Sequence, residues 1–258
     1  MIISVFNLSN GAISDREMQR VIRAINIQIG RDFEPYWSFA ATLRLEGHSG
    51  STARRRPYDL QDMRGDALLC VWDKSASDAD GEHILGARGV PVGFVYLDLS
   101  EKLAEDWSVT LSHEALELLG DPQNNLTVQG SHPDPKEEGR DVFHWFEMCD
   151  AVQAQTYSID KVTVSDFVLP LYFTSGGERG SRNNFLGAAS DCKGRARSGL
   201  KSFGVLPGGY IGFFDPKQQR HVTYDADDRS AKMRSAIKKG KRGRRTQRAG
   251  RANFGLNK

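Results

Sequence analysis

The stretch DWSVTLSHEALELLGDP, residues 106–122, decides the fold that we predict for this chain of 258 residues. Its apolar residues recur at helical spacing, Asp106 can cap the start, and Gly120 followed by Pro122 is typical of a helix end. We therefore expect a helix from near Asp106 to Gly120. Its expected core face consists of Val109, Ser112, Leu116 and Leu119.

Inside this helix, His113, Glu114 and Glu117 resemble the HExxH motif of zinc hydrolases with the second histidine replaced by glutamate. Residues 113 and 117 are one turn apart, about 40° around the axis, so both can bind one ion. Glu114 lies about 100° away, where it can contact a water on that ion. The pattern predicts a metal site with His113 and Glu117 as ligands and Glu114 as the general base.

The order of predicted elements resembles the N-terminal subdomain of zincin metallopeptidases over roughly residues 1–150. We expect strands at 2–8, 40–45 and 67–71, a helix at 15–30, a sheet-edge strand at 91–99, and then the motif helix. The resemblance implies an edge strand that holds an extended substrate by backbone hydrogen bonds. The expected fold class is α+β: a zincin-like mixed sheet with an active-site helix, an irregular C-terminal lobe and a basic tail.

Zincins take their third ligand from a later element, and Glu147 is the best candidate because bulky apolar residues flank it. Asp121 and Asp150 are alternatives, and Asp150 could instead orient His113. Residues 113–122 and 147–153 also resemble paired motifs of little-characterised bacterial and phage-borne proteins. The zincin resemblance further implies a donor for the oxyanion, for which the candidates are His144, Tyr157 and Tyr172.

The resemblance implies a Zn²⁺-dependent peptidase or amidase that acts on peptide or protein substrates. A His/Glu/Glu ligand set carries one negative charge more than His/His/Glu, which favours a harder cation such as Mn²⁺ or Ca²⁺ as an alternative. The competing interpretation is a non-catalytic assembly or binding protein of bacterial or phage origin.

The bulk composition is that of a soluble protein, with 39% hydrophobic and 26% charged residues. No apolar run is long enough for a membrane span, and the first residues lack the pattern of a signal peptide. Three scattered cysteines predict neither a disulfide framework nor a cysteine-based zinc site, and we expect Cys149 to be a small buried hydrophobe. These observations favour a cytoplasmic or virion-associated protein.

The net charge of +2 conceals a basic arm on an acidic body. Residues 229–258 contain 12 of the 35 basic side chains and no acid, so the rest of the chain has 23 basic and 33 acidic residues. We expect three regions: 1–125 with the motif helix, 126–228 supplying the third ligand, and the flexible arm 229–258. The arm predicts binding to nucleic acid or to an acidic protein surface. Its candidate polyanion-binding residues are Lys238, Lys239, Lys241, Arg242, Arg244 and Arg245.

The remaining segments are predicted from local pattern. Residues 47–57 and 73–82 are expected to be loops, and 157–164 and 167–173 to be β-like. Residues 122–135 are expected to be irregular. Residues 210–214 and 220–224 are expected to pair as a hairpin.

Overall fold

A computed structural model describes residues 1–47, 65–75, 81–85, 89–175, 182–187 and 199–226. The basic arm, with all six candidate polyanion-binding residues, lies outside the described residues. Most of the loop predicted at 47–57 also lies outside them.

Five strands form the first sheet: β1 (Ile2–Leu8), β2 (Thr42–Gly47), β3 (Ala67–Trp72), β4 (Gly81–Leu85) and β5 (Pro91–Tyr96). Their order is β2-β1-β3-β5-β4, with β4 antiparallel at one edge and the other four strands parallel. The central strands are buried on both faces, as is typical of a parallel sheet covered on both sides. The structure thus confirms a mixed sheet of the α+β kind.

The prediction that residues 91–99 lie at the sheet edge is wrong. Strand β5 pairs with β3 on one side and with β4 on the other. Pro91 is the first residue of its strand, where the missing N–H costs no ladder hydrogen bond. A Cβ on Gly93 would lie 2.4 Å from Leu69 Cδ2, so this glycine marks close packing rather than an edge. The loop predicted at 73–82 is wrong at its end, because β4 begins at Gly81.

Helix α1 (Asp15–Ile27) begins where the sequence predicts, with Ser14 Oγ accepting a hydrogen bond from the Glu17 amide at 3.2 Å. It continues into a π-helical segment (Gln28–Phe33) and the short α2 (Glu34–Trp37). The apolar face of α1 is buried in the main core together with β1 and β3. Its buried members are Met18, Val21, Ile22, Ala24 and Ile25.

In the described residues, the C-terminal region adds six strands. Four of them, β6 (Thr127–Ser131), β7 (Asp141–Trp145), β10 (Tyr210–Asp215) and β11 (Arg220–Asp225), form a second sheet of order β11-β10-β7-β6. The predicted hairpin is confirmed as β10 and β11, whereas β6 lies in a segment predicted to be irregular. A separate hairpin consists of β8 (Thr156–Ile159) and β9 (Val162–Ser165).

The β-like segment predicted at 167–173 is wrong for most of its length. Only Val168 makes an isolated bridge, with Asn184, and Pro170–Phe173 is a 3₁₀ helix. Pro170 cannot donate to a strand ladder, and proline is favoured in the first turn of a helix.

Two more helices follow β5: α3 (Leu97–Lys102) and the motif helix α4 (Trp107–Gly120). Helix α4 packs on β5, β4 and β3 on one side and on β9 on the other. Every residue from 108 to 120 is buried, so the prediction of a single core face was too narrow. No helix among the described residues is long and apolar enough to span a membrane.

Buried hydrogen bonds hold α4 against β9. The Ser108 hydroxyl donates to Thr163 O at 2.8 Å, and the Ser165 amide donates to Ser112 Oγ at 2.7 Å. One apolar core contains Leu111 and Leu116 of α4 as well as Met148, Val164 and Phe167 of the C-terminal region. The core therefore runs across the boundary predicted at residue 125, and it fixes the motif helix relative to the segment that follows β7.

Candidate metal centre

Helix α4 places His113 and Glu117 side by side, as their spacing predicts. His113 Nε2 lies 2.9 Å from Glu117 Oε1. The exposed fraction is 2% for His113 and 0% for Glu117, so this polar pair lies inside the protein. Because i and i+4 share a helix face, the backbone of α4 alone is sufficient to bring these two side chains together.

The irregular segment after β7 brings three more candidate ligands to the pair. Asp150 Oδ1 lies 3.3 Å from His113 Nε2, and the Cys149 amide donates to Glu117 Oε1 at 3.4 Å. The Val168 amide donates to Met148 O at 2.7 Å, which anchors this segment between Glu147 and Cys149. The segment is therefore joined to Val168 through the backbone of Met148 and to α4 through the amide of Cys149.

Tyr210, at the start of β10, is a member of the site that the sequence analysis missed. Its hydroxyl donates a hydrogen bond to Asp150 Oδ1 inside the protein. A Cβ on Gly209 would lie 2.5 Å from Ala151 O and 2.9 Å from Asp150 O, so only glycine allows β10 to start this close. The Gly208-Gly209 pair before an aromatic residue was the local signal, but nothing in it identified residue 150 as the partner.

The donor atoms converge into two overlapping groups. His113, Glu117 and Cys149 offer ligand atoms within 4.8 Å of one another, and so do Glu117, Glu147 and Asp150. Glu117 belongs to both groups. Imidazole nitrogen, carboxylate oxygen and thiolate sulfur are the donors that proteins use for divalent cations, so such an ion fits these residues.

Charge repulsion within this cluster is visible at Glu117. Burial, followed by the negative charge of Glu147, raises the pKa of Glu117 to about 7, and His113 opposes that shift. Burial also raises the pKa of the Cys149 thiol well above its usual value, with a further contribution from Glu117. The groups that act on Glu117 thus include two carboxylates that disfavour its charge, which a bound cation would stabilise.

Only some of the predicted ligands lie in the two ligand groups. Glu147, predicted as the third ligand, and Asp150, its alternative, both reach Glu117. Asp121 Oδ2 instead accepts a hydrogen bond from the Leu126 amide at 2.8 Å, and within the described part of the chain neither ligand group includes it. Glu114, the predicted general base, is completely buried beside His113 on α4.

The predicted oxyanion donors are hydrogen-bonded to partners outside both ligand groups. His144 Nε2 lies 2.8 Å from Ser131 O, and burial lowers the pKa of this histidine to about 4. The Tyr157 hydroxyl donates to Asp32 Oδ2 at 2.9 Å. The Tyr172 hydroxyl donates to Gly204 O at 2.9 Å.

Comparison of the chain with protein families, with curated proteins and with solved structures finds no match. The resemblance to zincins therefore stays a prediction. A function has to be argued from the chemistry of the site, because one fold supports many activities.

Proposed function

We propose that this protein is a metal-dependent hydrolase of peptide or amide bonds, with a divalent cation bound at Glu117. In this proposal His113, Glu147 and Asp150 would hold the ion together with Glu117. The observation that carries the proposal is the position of His113 Nε2, 2.9 Å from Glu117 and 3.3 Å from Asp150 in the protein interior. Zn²⁺ suits a site that contains a histidine and carboxylates.

Burial of like charges supports a cation at this point. An isolated buried carboxylate is strongly destabilised, and a second carboxylate nearby adds repulsion. Glu117 has Glu147 and Asp150 as acidic neighbours. A divalent ion bound by these carboxylates would replace their mutual repulsion with attraction to the ion.

The chain supplies groups for each part of a hydrolytic reaction. When bound, the cation would acidify a water molecule and polarise the substrate carbonyl. Glu114, one residue after His113, accepts the proton of the attacking water and passes it to the leaving amine. Tyr210 holds the carboxylate of Asp150 in place through its hydroxyl.

The edge of the first sheet is suited to an extended peptide. Among the described residues, β4 is the last strand in that sheet, and α4 packs against it. A peptide that adds to the outer edge of β4 by backbone hydrogen bonds would run beside the helix that carries His113 and Glu114.

The test is metal analysis of the purified full-length chain, combined with hydrolysis of an unstructured protein such as casein. We expect at least about one equivalent of zinc in the wild type, and less zinc and no activity in His113→Ala. Glu114→Gln should keep the metal and lose activity by about 100-fold or more. Asp121→Asn, which can still accept from the Leu126 amide, is the matched control and should keep both. Metal-free wild-type protein would overturn the proposal.

A structural metal site is the second candidate, and the depth of the cluster favours it. Structural zinc sites are closed by four protein ligands, and Glu114 and Glu117 are both fully buried. In this case Glu114→Gln would change neither metal content nor any rate, and chelation would unfold the protein. Under the hydrolase proposal, by contrast, a substrate would enter beside Glu147, which is only half-buried.

We propose a separate binding function for the basic arm. With 12 basic residues and no acid, residues 229–258 would bind nucleic acid or an acidic protein surface through salt-sensitive contacts. Deletion of the arm should abolish retention on a phosphate-bearing column while leaving metal content unchanged. Unaltered retention after the deletion would contradict this interpretation.

A further inference from the structure

The two ligand groups of the cluster have different chemistry. One offers a nitrogen, an oxygen and a sulfur, from His113, Glu117 and Cys149. The other offers three carboxylate oxygens, from Glu117, Glu147 and Asp150. They share a single residue, Glu117, which is fully buried between them.

We infer that this cluster holds two divalent cations, bridged by the carboxylate of Glu117. The first ion is bound by His113, Glu117 and Cys149, and the second by Glu117, Glu147 and Asp150. This inference rests on the proposed metal centre and specifies its composition. A carboxylate has two oxygens, and proteins use such bridges to hold two ions about 3.5–4 Å apart.

The positions of the donors fit two adjacent ions. His113 Nε2 and Asp150 Oδ1, which belong to different groups, are 3.3 Å apart, so the two positions are neighbours. The Cys149 amide donates to Glu117 Oε1 at 3.4 Å, which places the thiol-bearing residue beside the bridging carboxylate. Cys149 is completely buried, so its sulfur faces the protein interior.

Charge balance favours two ions over one. Three carboxylates and one thiolate carry four negative charges when all of them are ligands. One divalent cation on the three carboxylates, with Cys149 still a neutral thiol, leaves one negative charge uncompensated inside the protein, whereas two cations, with Cys149 a thiolate, leave none. Uncompensated charge in the interior is strongly destabilising.

The donor types also distinguish the ions. Nitrogen and sulfur ligands favour zinc in the first position, whereas three carboxylates suit a harder cation such as Mn²⁺ as well as zinc in the second. Binding at the first position converts the Cys149 thiol to a thiolate and releases its proton to solvent, with no change of oxidation state.

The chain provides a matched control for the sulfur ligand. Cys70, on β3, is also a free and fully buried cysteine, but it packs among Leu68, Val92 and Phe94. In the described residues it belongs to neither ligand group. Replacement of each cysteine by serine therefore separates the loss of a ligand from the loss of a buried thiol.

The experiment is equilibrium dialysis of the untagged, metal-free full chain against Zn²⁺, with bound zinc measured by elemental analysis. We expect about two equivalents in the wild type and in Cys70→Ser, and about one in Cys149→Ser. Glu117→Gln should bind none with comparable affinity. Replacement of zinc by Co²⁺ should give a sulfur-to-cobalt charge-transfer absorption that is lost in Cys149→Ser and kept in Cys70→Ser.

The outcomes separate this inference from the proposed function. One equivalent in the wild type would overturn the two-ion centre and leave the hydrolase proposal intact, whereas none would overturn both. Two equivalents that persist in Cys149→Ser would also overturn the assignment. Should Cys149→Ser fail to fold, Asp150→Asn replaces it with the same expected loss of one equivalent, and the cobalt absorption of the wild type tests the sulfur ligand.

Discussion

The carboxylates of Glu117 and Asp215 are both completely buried, yet their surroundings are opposite. Asp215 accepts hydrogen bonds from Arg140 at 2.7 Å, from the Lys217 amide at 2.9 Å and from the Gln218 side chain at 2.8 Å. Burial alone would raise its pKa, but these donors lower the pKa below its usual value. At Glu117, burial and acidic neighbours raise the pKa to about 7.

Asp166 lies between these two cases. It accepts hydrogen bonds from the side chain of Asn184 at 2.6 Å and from the Phe167 amide at 2.8 Å, and these donors are neutral. Burial raises the pKa of Asp166 to about 6, although the donors oppose the shift. Comparison of these three carboxylates shows that burial alone does not identify a metal ligand. What distinguishes the candidate centre is that its carboxylates face one another, whereas Asp215 faces a cation and Asp166 faces neutral donors.

The largest expected effect is stabilisation by metal, which should act at Glu117 and not at Asp215. Zinc at roughly a thousand times Kd should raise the free energy of unfolding by about 4 kcal/mol. Urea unfolding with zinc and with chelator measures this difference. Glu117→Gln should abolish it and Asp215→Asn should preserve it. An equal zinc effect in Glu117→Gln would contradict a cluster-bound ion.

The next effect concerns pH and Asp166. Its folded pKa of about 6 is raised above the ordinary 3.8, so its contribution to stability is full below the lower value and is lost as pH rises through about 6. The loss corresponds to roughly 3 kcal/mol. In Asp166→Asn, where Asn184 can turn its amide to pair, this decrease of the free energy of unfolding with pH should be absent. Urea unfolding of both proteins with chelator, between pH 4 and 7, measures the decrease in each. The same decrease in both would contradict the assignment.

Removal of the carboxylate should destabilise the protein at Asp215 and stabilise it at Glu117. Asp215→Ala should destabilise the protein by about 2 kcal/mol with or without zinc, because the partly buried hydrogen bonds from Arg140, Lys217 and Gln218 are lost. Glu117→Gln should stabilise the chelated protein at pH 8, because a neutral amide removes repulsion from Glu147 and Asp150. Thermal unfolding of both variants under chelation tests this contrast. A destabilised Glu117→Gln protein would show that the cluster does not need a cation.

The smallest effect is expected at Tyr210. Tyr210→Phe removes the hydroxyl that donates to Asp150 and should cost about 1 kcal/mol in chelated protein. Because a hydrogen bond to a metal ligand fixes its orientation, loss of the hydroxyl should lower zinc affinity about tenfold. Calorimetric titration with zinc measures the change, and Tyr157→Phe, which loses a hydrogen bond to Asp32, is the matched control with unchanged affinity.

Sequence patterns predicted the parts of the fold that depend on neighbouring residues. Helix α4 lies between Asp106 and Gly120 as predicted, although the Asp106 side chain makes no capping hydrogen bond, and the β10–β11 hairpin forms around Asp215 and Pro216 as predicted. The prediction that β5 lies at the sheet edge was wrong because β4 pairs with it. The sequence of β4 has no clear alternation of apolar and polar residues that would predict a strand. Strand order is a long-range property that local pattern does not contain.

The sequence by itself determined that His113 and Glu117 share a face, since four residues make about one helical turn. It also singled out Glu147 and Asp150 as candidates, but it could not place them, because β6 and β7 separate them from the motif helix and Glu147 lies 30 residues after Glu117. Only the tertiary structure brought Asp150 to 3.3 Å from His113, Cys149 to Glu117 and Tyr210 to Asp150. Those contacts arise because Met148 and Cys149 pack with α4 in one core cluster, while Ala151 and Val152 pack with Ile211 of β10 in another. Such packing is a property of the whole chain.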